Sequence, residues 1–107
     1  KDSSSASLTL AVIEELKKAA RQLKELVAAI HLLFKERARL VNERRDMTES
    51  RKQIATASSD IEKKRVEIAE LLTNEDKDFS IMSFYPLVHK AEELATEAIE
   101  RVKAFDL

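Results

Sequence analysis

Few residues in this 107-residue chain have side chains suited to chemistry. Histidine occurs twice, as His31 and His89, far apart in sequence. Cysteine and glycine are absent and Pro86 is the single proline. Without cysteine there is no thiolate nucleophile, no disulfide framework and no Cys-based zinc site. Without glycine there is no backbone loop of the kind that cradles phosphates. Carboxylates abound, but the helical pattern assigns them to solvated faces, and no Ser-His-Asp constellation has a supporting fold. His31 sits on a mostly apolar segment and reads as a rim or core histidine. The chain therefore reads as non-catalytic, with no metal, cofactor or small-molecule ligand expected.

The most unusual spacing is cationic. Arg37, Arg44 and Arg51 recur at a seven-residue step inside a basic segment, residues 35–52, of net charge +3. Residues 74–107 carry a net charge of −4, so the chain has a basic waist and an acidic tail although its total is only −1. Several basic residues on one surface can bind a nucleic-acid backbone. Here Glu36 and Glu43 flank the column and no aromatic residue is interleaved for base stacking. A nucleic-acid-binding helical module using 35–52 is thus the alternative reading.

Positioning these residues falls to a longer apolar column. Val12, Ala19, Leu26, Leu33, Leu40, Met47, Ile54, Ile61 and Ile68 recur strictly every seven residues. Such a repeat keeps one stripe facing a partner helix. Over residues 8–41 two further columns join it: Leu16, Leu23 and Ile30 on one side, Ile13, Ala20, Val27, Phe34 and Val41 on the other. Three apolar columns are wider than a two-stranded seam needs, so this segment should touch two neighbours. Residues 1–7 read as a polar lead-in, with Ser5 or Ser7 able to cap the helix, and 8–107 as a single domain.

Residues 42–53 hold one apolar residue, Met47. The unbroken column favours a helix running straight through. The competing reading is the polar tip of a helical hairpin, with Asp46 and Glu49 paired at the start of the next helix. Residues 54–73 resume the pattern, with a weak stretch at 55–60 where Ser59 and Glu62 could restart a helix. The charged run 73–78 is the clearest break, Asn74 ending one helix and Asp78 or Ser80 starting the next. Pro86 confines the start of the last helix to about residues 83–86.

The expected fold is all-α: an elongated antiparallel helical bundle or coiled coil, made from a long N-terminal helix or helical hairpin and a returning C-terminal helix. The expected function is a protein–protein interaction module, a scaffold or oligomerisation element. Its expected contact residues are Leu26, Leu33, Arg37, Leu40, Arg44, Met47, Arg51, Ile54 and Ile61. Partners would be other proteins or further copies of the chain. Starting at Lys1 and stopping at Leu107 inside a helical pattern, the sequence reads as part of a longer protein. No apolar run approaches the ~20 residues that span a membrane. The lack of cysteine and of a signal peptide suits the cytoplasm or another reducing compartment.

Overall fold

The computed structural model describes residues 3–73 and 77–105, with side chains from Thr9 onward. From Ser3 on, the expected lead-in is helical: α1 spans Ser3–Asn42, followed by α2, Thr48–Thr73, and α3, Tyr85–Lys103. A short 3-10 turn, Phe79–Ile81, precedes α3, and there is no strand among the described residues. At 1.5 Å per residue α1 is about 60 Å long, α2 about 39 Å and α3 about 28 Å. The chain is an all-α bundle of a helical hairpin with a third helix returning along it.

The helix expected to run through residues 42–53 does not do so. α1 ends at Asn42 and the chain reverses over residues 43–47. The Arg45 amide bonds the Leu40 carbonyl at 2.9 Å and the Arg44 amide bonds that of Val41 at 3.1 Å. These are the two bonds of a Schellman C-cap, which needs a left-handed residue between helix and exit. Arg44 supplies it, with φ 56°. The position normally favours glycine, and this chain has none. Asp46 then opens α2, its carboxylate accepting from the Thr48 amide at 3.0 Å and the Thr48 hydroxyl at 2.8 Å. Asp46 thus pairs with Thr48 instead of Glu49, and these bonds hold its pKa below the ordinary aspartate value.

α2 continues unbroken through the weak stretch at 55–60. Asn74 lies outside the described residues. Asp78 caps the 3-10 turn through the Ser80 amide at 3.0 Å and also takes the Ser80 hydroxyl. These two bonds lower its pKa. Pro86 falls in the first turn of α3, where a missing N–H costs nothing.

The core is continuous. α1 contributes Leu16, Ala20, Leu23, Val27, Ile30 and Phe34; α2 contributes Ile54, Ile61 and Ile68; α3 contributes Val88, Ala91, Ala95, Ala98 and Ile99. The column that organised the sequence is buried throughout α2, at Ile54, Ile61 and Ile68, but in α1 only at Ala19. In α1, Leu26 and Leu33 are half-buried at the edge of the core, while the two flanking columns fill the interior. The alanines of α3 let it sit close to α1. α2 and α3 touch each other much less than either touches α1.

Candidate functional site

Two flanks and one end of the bundle carry features that could engage a partner. The first flank is the groove between α1 and α2, lined by those helices alone. It encloses about 390 Å³, with Leu33 and Ala57 as its apolar part and Glu49, Lys52, Gln53 and Asp60 around them. Lys64 of α2 donates to the Gln22 amide oxygen of α1 at 2.7 Å and pairs with Glu67 at 2.8 Å, bridging the two helices further along. Leu26 and Leu40, one heptad either side of Leu33, are also half-buried. Leu32, one residue before Leu33 and so about 100° round the helix from it, is 66% exposed on the outer face. Leu26, Leu33 and Leu40 form a strip of leucine that the chain's own core leaves part open.

The end of the bundle is built by aromatic and guanidinium groups. Phe34 of α1 meets Phe105, just past α3, edge to face at 5.2 Å. His31 stands edge-on to Phe34 at 5.6 Å. Arg37 lies over the Phe105 ring at 4.0 Å and Arg101 over the Phe34 ring at 4.6 Å. The Arg37 Nε is buried with no hydrogen-bond partner. Beyond Phe105 the α1–α2 hairpin runs on uncovered by α3. Val41, on the phase that faces the core lower down, is 48% exposed there.

The structure divides the expected contact residues into three groups. Ile54 and Ile61 have no accessible surface and pack inside the chain's own core. Leu26, Leu33 and Leu40 are half-buried along one flank, whereas Arg37 and Met47 are half-buried towards the hairpin tip. Arg44 and Arg51 are exposed near that tip. The three arginines do not form one strip: Arg37 is on Phe105, Arg44 makes the turn, and Arg51 stands on the first turns of α2. The acids that flank them in sequence face elsewhere. Glu36 and Glu43 hold Arg39, at 3.1 and 2.8 Å, and this pairing lowers the Glu36 pKa and raises that of Arg39.

The second flank was missed by the sequence reading. An open groove of about 520 Å³ between α2 and α3 is lined by Arg65, His89, Glu92, Glu93, Thr96 and Glu97. His89 Nε2 lies 3.3 Å from Glu93, one turn on. The i,i+4 spacing of this pair was readable in the sequence. Arg65 spans the groove, pairing with Glu62 and donating to the Thr96 hydroxyl, both at 3.2 Å. Among the described residues no three His, Cys, Asp or Glu side chains converge to hold a metal ion. No helix among them is long and apolar enough to cross a membrane.

The fold and these surfaces define a three-helix bundle with charged, open flanks. The chain matches no family model, no curated protein and no solved structure.

Proposed function

We propose that this chain is a non-catalytic protein–protein interaction module, which holds a partner helix in the groove between α1 and α2. The observation that carries the reading is the half-open leucine column Leu26, Leu33 and Leu40. An amphipathic helix laid there would cover a stripe already spaced for helix packing, at roughly 25 cal/mol per Å² of apolar surface removed from water. Glu49, Lys52 and Asp60 on the rim carry both signs, so they favour a partner with a mixed-charge border and penalise wrong registers. The reading needs no cofactor and no metal. Its compartment, cytoplasmic or otherwise reducing, rests on the lack of cysteine.

The test is a photo-crosslinking residue placed at Leu33, with the same residue at exposed Lys63 as control, in an extract of the source cells. A discrete protein adduct from position 33, absent from position 63 and lost on Leu26→Asp, is expected. Equal labelling from both positions would remove the groove as the contact surface. The alternative reading, nucleic-acid binding through residues 35–52, draws on Arg44, Arg45, Arg51 and Lys52, all exposed near the hairpin tip. It predicts a band shift that an Arg44→Glu/Arg51→Glu chain loses and a Leu33→Asp chain keeps.

A further inference from the structure

The α2/α3 flank and the hairpin tip carry opposite charge. Glu92, Glu93 and Glu97 line the groove between α2 and α3, and its one arginine, Arg65, is already engaged by Glu62 and Thr96. Towards the tip, Arg51 is exposed on α2 beyond the end of α3. Its helical phase puts it on the flank of α2 that also carries Arg65, since the two are fourteen residues, or about four turns, apart. We infer that two copies of this chain associate antiparallel along this flank, Arg51 of each meeting Glu93 and Glu97 of the other.

The register follows from one side-chain contact. The bond from Arg65 to Thr96 sets α2 residue 65 level with α3 residue 96, and the helices run in opposite directions. The midpoint between Glu93 and Glu97, residue 95, is then level with α2 residue 66. A two-fold axis that carries Arg51 to that level crosses α2 halfway between, at residues 58–59. The helix surface there carries the small side chains Ala55, Ser58 and Ser59, with Glu62, held by Arg65, one turn further along. The same operation sets Val66, 57% exposed, opposite Arg51 and Lys52, whose aliphatic stems can cover it. Symmetry doubles every contact, as in any isologous pair. The shared length of α2 is about 33 Å and one helix is about 10 Å wide. That area lies well below the roughly 800 Å² per partner of a standard stable interface. The dimer is therefore weak and dependent on its charges. It uses a flank separate from the leucine groove and does not rest on the partner helix proposed there.

Sedimentation velocity on the whole chain tests it, from about 10 to about 500 µM, in low salt and at about 0.5 M NaCl, where screening is nearly complete beyond a few ångströms. A concentration-dependent dimer is expected in low salt, with its dissociation constant raised at least about tenfold by the salt. Arg51→Glu alone, and Glu93→Arg with Glu97→Arg, should each give monomer with unchanged helicity, since all three side chains are exposed. Mixing these two variants should restore a dimer, because both symmetry-related contacts then regain opposite charges. A monomer at every concentration, a dimer indifferent to these reversals, or a mixture that stays monomeric would overturn the inference. A dimer lost instead on Leu33→Asp would also overturn it, and would assign self-association to the leucine groove.

Discussion

The guanidinium of Arg37 lies over the ring of Phe105, 4.0 Å from its centroid, and ties the end of the third helix to the first. Phe105 also meets Phe34 edge to face. Phe105→Ala should therefore lower stability by about 2 kcal/mol, and Phe105→Leu, which keeps most of the burial, by about half of that. Arg37→Met should stay within about 1 kcal/mol of the parent, because it removes a buried Nε that has no hydrogen-bond partner. Urea unfolding of the three variants gives these differences.

Arg44 holds the one positive φ among the described residues, and it does so without glycine's freedom. Left-handed backbone costs a residue with a Cβ roughly 1 kcal/mol. Arg44→Gly should then stabilise the chain by up to about 1 kcal/mol, offset in part by the extra freedom of glycine in the unfolded state. A thermal midpoint raised by a few degrees is the expected reading; a lower midpoint would mean that the arginine side chain stabilises the turn.

Asp46 titrates with the fold. Its bonds from Thr48 lower its folded pKa, so the stabilisation is present above the unfolded value of about 3.9 and is lost as pH falls through the folded value. Asp46→Asn keeps the capping oxygen and removes the titration. Between neutral pH and about pH 3, the asparagine variant should lose less of its melting temperature than the parent. Glu36 and Asp78, also lowered, are common to both chains and cancel in the comparison.

Ile61 and Leu33 belong to the same seven-residue column but should respond differently. Ile61 is fully buried, and Ile61→Ala should cost about 3 kcal/mol by leaving a cavity. Leu33 is half-buried on an open groove, and Leu33→Ala should cost less than about 1.5 kcal/mol. Chemical denaturation of the isolated chain separates them. Equal losses would mean that the groove is packed as tightly as the core.

The sequence by itself determined that the chain is helical, where its last helix begins, and which segments carry apolar faces. Those properties are local: helical periodicity, Pro86 in a first turn, and a charged run after Thr73 without an apolar residue act within a few residues. The position of the reversal was not determined in this way. Leu40, Met47 and Ile54 keep the seven-residue count across the turn, so periodicity alone reads straight through it. The turn itself uses Arg44 where glycine would have announced it. Tertiary packing decided the matter, because two stripes in one chain bury more apolar surface folded on each other than extended. It also decided which side of each stripe is free. The return of α3 over the columns of Leu16 and Ala20 closed that face and left Leu26, Leu33 and Leu40 at an edge. The acidic groove beside Arg65 likewise exists only because α2 and α3 come together there. Arg65 lies more than twenty positions from the α3 residues of that groove, and no local pattern could have placed it beside them.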